Sequence, residues 1–133
     1  MKIDRNVRAW IEYADHDLFT ASHMAKTTPP PLEIIAYHLQ QAAEKYLKAG
    51  LAAFEIAIPK THDLLRLNRL FSASLPEVSG LEIECERLSD FGTVTRYPIE
   101  SVILDEIKIK QAENSSHKIC NVIRAALLKD ETI

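Results

Sequence analysis

A chain of 133 residues, 47% hydrophobic and 26% charged, carries enough apolar material for one core and is read as a single domain over residues 1–133, with no need of metal or disulfide support. A net charge of −3 excludes a surface that is basic throughout, so nucleic acid held by its backbone would need a local basic patch on an acidic protein. Cys85 and Cys120 are far apart, no signal peptide or membrane-length apolar run is evident, and reduced, packed thiols, no metal site, no membrane partner and a cytoplasmic address are expected.

Only three glycines, and six prolines grouped at Pro29–Pro31, Pro59, Pro76 and Pro98, predict long helices between firm breaks. The first helix is expected from about Asp4 to Lys26, where Trp10, Ala14, Leu18, Ala21 and Met24 or Ala25 follow three-four spacing. The second is expected from about Leu32 to Phe54. At roughly 100° per residue, Ile35, Ala36, Leu39, Ala42, Ala43, Tyr46, Leu47, Ala49, Gly50 and Ala53 fill one arc of it. Gln40, Gln41, Glu44, Lys45 and Lys48 fill the other. So many small residues on the apolar arc let a neighbouring helix approach closely, which marks this as the central helix.

After Pro59, Thr61 is placed to cap a shorter helix from near His62, with Leu64, Leu67, Leu70 and Phe71 as its stripe. A fourth helix over about Leu81 to Phe91 carries Leu81, Cys85, Leu88 and Phe91, with Glu82, Glu84 and Glu86 on a solvated face. Arg96-Tyr97-Pro98 follows, with Tyr97 extended ahead of the proline. The last helix is expected from about Val102 to Lys129, buried through Ile109, Ala112, Ser116, Ile119, Ile123, Ala126 and Leu127. No strand-length alternation competes. The fold class is all-α, an up-and-down antiparallel bundle of four main helices plus one or more short ones.

There is no glycine-rich phosphate loop and no His-Glu-x-x-His pair. Three places offer chemistry, each with two readings. His38, Gln41, Lys45 and Lys48 are spaced three, four and three apart and share one stripe of the second helix. That stripe is either a site for an anionic ligand or RNA backbone, or a solvated face in which Glu44 and Lys48 form an ordinary helical pair. Arg96 and Tyr97 either present a guanidinium and a phenol to a phosphate or base, or complete a helix-stop loop. His62 is either a ligand contact or a tie between its loop and a neighbour, and Asp63 suits a first helical turn.

Trp10-x3-Ala14-x2-Asp17-Leu18-x2-Ala21, the run Tyr37-His38-Leu39-Gln40-Gln41-Ala42-Ala43-Glu44-Lys45-Tyr46-Leu47-Lys48-Ala49, then Thr61-His62-Asp63-Leu64 and Arg96-Tyr97-Pro98, occur here in an order that resembles the HEPN domain (higher eukaryotes and prokaryotes nucleotide-binding) in its small stand-alone prokaryotic form. The resemblance spans nearly the whole chain. It implies a homodimeric helical bundle that binds nucleotide or RNA without a cofactor. It also implies work beside a minimal nucleotidyltransferase in a toxin–antitoxin-like module. By the same resemblance Arg96, Tyr97, Gln41 and Lys45 occupy the family's motif positions.

Many members of that family are metal-independent ribonucleases with an Arg followed, after four to six residues, by a His near the start of the last helix. This sequence departs from them. Counting from Arg96, the histidine positions hold Ser101, Val102 and Ile103, and no other arginine has a histidine at that distance. Ribonuclease activity is therefore not carried over, and whether the chain is an enzyme stays open. Two alternatives stand beside the binding protein. One is an atypical metal-independent endoribonuclease using Arg96 for phosphate charge and His38 or His62 as acid–base. The other is a non-catalytic dimeric interaction module.

Overall fold

The structure, a computed structural model, describes residues 1–91 and 104–129. Its regular elements are α1 (Arg5–Met24), α2 (Leu32–Ala53), α3 (Leu64–Phe71), a 3-10 turn (Pro76–Leu81), α4 (Glu82–Ser89) and α5 (Glu106–Leu128). Arg96 and Tyr97, and the expected start of the last helix at Val102, lie outside the described residues.

Three aspartates fix three helix starts. Asp4 accepts from the backbone N–H of Val7 at 3.0 Å, Asp63 from Arg66 at 3.3 Å and Asp105 from Lys108 at 2.8 Å. Each satisfies a first-turn donor that has no partner inside its helix. Asp63, not Thr61, is therefore the cap of α3, which starts at Leu64 rather than near His62. The Thr61 hydroxyl instead accepts from the Asp63 N–H at 3.1 Å, holding the turn that aims the aspartate.

The end of α2 is set without glycine. Glu55 adopts a left-handed backbone, φ 57°, and two bonds close the helix around it: Ile56 N–H to Leu51 C=O at 2.9 Å and Glu55 N–H to Ala52 C=O at 3.1 Å. This is the Schellman pattern, with a glutamate where glycine is usual.

Thirteen of the 22 residues of α2 are buried, which makes it the central helix, as its small-residue arc predicts. It runs antiparallel to α1, since Lys2 N–H reaches Ala53 C=O at 2.8 Å. α5 runs parallel to it: Ser116 Oγ donates to Leu39 C=O at 2.7 Å, and one stretch further along both helices Arg124 donates to the Tyr46 hydroxyl at 3.0 Å. That is the relation an up-and-down bundle gives its second and fourth segments, with α3 and α4 together supplying the third. Close approach falls at Gly50, where a Cβ would stand 2.5 Å from the Phe71 ring.

All ten apolar positions expected on α2 and all seven on the last helix are buried. Four details differ from expectation. On α1 the expected Ala14 and Ala21 are buried, together with Val7, Ile11 and Asp17, whereas Trp10, Leu18 and Met24 of the expected stripe pack against the core and are only partly covered. Leu70 is 42% exposed, because Leu67 and Phe71 already fill the inner face of the short α3. Gln40 and Glu44 are buried rather than solvated, because the loop ahead of α3 covers that side of α2 through His62. Glu84 is not on an open face either: its carboxylate meets Lys118 of α5 at 2.8 Å.

Candidate functional site

α2 carries His38 and Lys45 seven residues apart, two turns along one face, and that face looks across the seam at Asp17 of α1. His38 Nδ1 lies 2.7 Å from Asp17 Oδ1, and Lys45 Nζ lies 2.6 Å from Oδ2. The Asp17 carboxylate is only 9% exposed. A carboxylate oxygen accepts, so the Nδ1 of His38 is the donor in this contact and its Nε2 points away from Asp17.

A second carboxylate sits beside the first. Glu44, with its side chain 3% exposed, takes Lys48 Nζ on Oε2 at 3.0 Å and His62 Nδ1 on Oε1 at 3.0 Å. Gln40 Nε2 also approaches Oε1 at 3.4 Å, and Gln41 Nε2 donates to Gln40 Oε1 at 2.9 Å. The Lys48 ammonium lies 5.5 Å from the centre of the Trp10 ring, a cation–π contact that ties this group back to α1.

The fold thus gathers His38, Gln41, Lys45, Lys48 and His62 along one polar seam. Arg96 and Tyr97 lie outside the described residues. Sequence reasoning singled out the cations and the Glu44–Lys48 pair, and missed the burial of Glu44 and the counter-charge that Asp17 gives His38 and Lys45, although both acids stand inside the motifs that carry the family resemblance. The missed signal was an acid on the flank of an apolar stripe, a position that is occupied only when a cation waits opposite. Each lysine faces one buried carboxylate, so the seam holds little net positive charge for a phosphate.

A third group lies on the opposite flank of α1. Arg124 Nη1 donates to Asp15 Oδ2 at 2.7 Å and to the Tyr46 hydroxyl at 3.0 Å, while Tyr46 donates to Asp15 Oδ1. Burial, reinforced by the bond to Asp15, holds the Tyr46 phenol well above its ordinary range despite the opposing pull of Arg124. It is a neutral donor at any physiological pH. Beside it a cleft of about 290 Å³ opens between α1 and α5, lined by Arg8, Glu12, His16, Arg124 and Leu128 among others.

Among the described residues no group of three or more His, Cys, Asp or Glu is placed to hold a metal ion, and no helix is long and apolar enough to cross a membrane. Both cysteines are free and buried.

Fold and seam together define a small helical domain whose polar residues are pinned in place by buried carboxylates. The family model of the HEPN domain matches residues 7–127, and the chain belongs to the HEPN family. No curated protein and no solved structure matches it.

Proposed function

We propose that this HEPN protein is a cytoplasmic homodimer that binds nucleotide or RNA and works with a minimal nucleotidyltransferase in a toxin–antitoxin-like pair. The observation that carries the reading is a family match over residues 7–127 in a chain where no arginine is followed by a histidine at the ribonuclease spacing. Binding survives the loss of that pair, whereas proton transfer in cleavage does not. The test is co-expression with the product of a neighbouring transferase gene, followed by titration of the purified protein with nucleoside triphosphates and short single-stranded RNA. Co-elution with the transferase and saturable binding of either ligand are expected. No affinity for nucleotide or RNA, with no co-elution, would overturn it.

One observation favours the endoribonuclease as a second reading. His38 and His62 each face a carboxylate through Nδ1, which orients the ring and leaves Nε2 to accept a proton from a ribose hydroxyl. Metal-free RNA cleavage that disappears on Asp17→Asn or Glu44→Gln, in protein that stays helical, would move the assignment to that reading.

A further inference from the structure

We infer that a second cleft between α1 and α5 is the site of a terminal nucleotide, its base on an apolar floor and its phosphomonoester on Ser22, Lys26 and His117. This rests on the nucleotide- or RNA-binding reading above and names where that binding occurs. The monoester has two sources, a free nucleoside monophosphate or the 5′ end of an RNA, which carry the same group.

α1 and α5 run antiparallel to each other over α2, and Asp15 and Arg124 bridge the groove between them. On one side of the bridge lies the cleft that Arg8 and Leu128 line. On the other side lies a cleft of about 240 Å³. Ile35 and Leu39 of α2, 2% and 1% exposed, form its floor together with Ala21. Two pairs of polar side chains stand on its walls, each pair one helical turn apart: Ser22 and Lys26 on α1, Glu113 and His117 on α5. An apolar hollow with a few convergent polar groups is the general form of a small-molecule site, and this volume lies just below the usual range of roughly 300–1,000 Å³. It suits one ring system. The Asp15–Arg124 bridge closes the groove beyond it, so a polymer cannot run on along the floor and only a terminal unit enters.

The donors of this cleft are unspent. In the seam Lys45 faces Asp17 and Lys48 faces Glu44, and in the first cleft Arg124 faces Asp15. Lys26 and His117, by contrast, pair with no acid among the described residues. Glu113 is the one acid in the lining, and it accepts from Lys110 of its own helix at 3.4 Å. The carbonyls that end α1 do not engage the Lys26 ammonium either, because Ala21, His23 and Met24 already accept from the backbone N–H groups of Ala25, Lys26 and Thr27. A phosphomonoester carries about −1.5 to −2 charge at pH 7 and three acceptor oxygens. An ammonium, a hydroxyl and an imidazole N–H around the mouth of an apolar hollow supply the matching donors. The cleft thereby provides a local site for phosphate on a chain of net charge −3.

The experiment is fluorescence anisotropy of a short 3′-labelled RNA, once with a 5′-monophosphate and once with a 5′-hydroxyl, with the full-length protein and with AMP titrated separately by calorimetry. The variants are Lys26→Ala/His117→Ala, which removes donors, and Ala25→Leu, which narrows the cleft without removing a charge. Lys60→Ala, which takes the same charge from an exposed position elsewhere, is the control, and circular dichroism checks helicity. The expected result is a preference of about tenfold or more for the phosphorylated ligand, lost in both cleft variants and kept in the control. Binding of AMP that both cleft variants abolish assigns the cleft to the free nucleotide. A 5′-phosphate preference with no AMP binding assigns it to the RNA end. Wild-type protein that binds both RNAs equally and no AMP would overturn this site and leave the RNA-binding reading intact, as would ligand binding that both cleft variants retain. Wild-type protein that binds neither RNA nor AMP would overturn both.

Discussion

At the scale of single residues, Asp17 and Glu44 govern the polar seam more than the cations they hold. A buried carboxylate is tolerated only with its partners in place, and removing the charge leaves an ammonium and an imidazole facing an amide. Asp17→Asn, nearly identical in shape, is expected to destabilise the fold by about 2 kcal/mol, read as a lower urea midpoint at unchanged slope. Glu82→Gln, which breaks the exposed pair between Arg69 and Glu82 at 2.9 Å, should leave that midpoint where it is. A wild-type midpoint for Asp17→Asn would mean that the seam contributes nothing to stability. The two thiols make a second test. Burial pushes Cys85 and Cys120 up to about 12 from an ordinary 9.0, so both stay protonated and shielded in the folded protein. Near pH 8 a thiol reagent should modify neither thiol in buffer and both in concentrated urea. The linkage has a definite sign: the unfolded thiols ionise first, so stability held below about pH 9 is lost as the pH rises towards 12.

At the scale of elements, the contact between α2 and α3 turns on a single missing methyl group. A Cβ at residue 50 would stand 2.5 Å from Cε2 and 2.6 Å from Cζ of Phe71, whose ring is fully buried and cannot swing aside. Gly50→Ala would gain about 1 kcal/mol in helix propensity and lose about 1–3 kcal/mol to overpacking. The expected result is net destabilisation that Phe71→Leu relieves, so the double variant loses less than the two single changes summed. The end of α2 predicts the opposite sign. Glu55 has a left-handed backbone, where a side chain is strained, and Glu55→Gly should raise stability by about 0.5–1 kcal/mol in the same urea experiment. Unchanged or lower stability would mean that the glutamate side chain makes good the strain.

At the scale of the whole molecule, what could be read in advance was periodic. The inner arc of α2 from Ile35 to Ala53 and the stripe of α5 from Ile109 to Leu127 are single uninterrupted patterns, and both are buried as expected. On α1 the expected stripe found Ala14 and Ala21 and left out Val7 and Ile11, which are buried while the larger Trp10 and Leu18 are only partly covered. Gln40 and Glu44 were unreadable for a different reason. Periodicity marks which side of α2 is polar, and it does not record that His62, eighteen residues beyond Glu44, returns to cover that side. The seam was therefore legible as a row of cations with Glu44 paired to Lys48, and the part that Asp17 neutralises was not.

The central claim is that the chain binds RNA without cleaving it. The most direct measurement mixes the purified protein with end-labelled single-stranded RNA in excess chelator. One aliquot is read by anisotropy and another on a denaturing gel. The account predicts saturable binding that weakens as salt is raised, with RNA of unchanged length. RNA that is shortened by the wild-type protein and left intact by Asp17→Asn would contradict it.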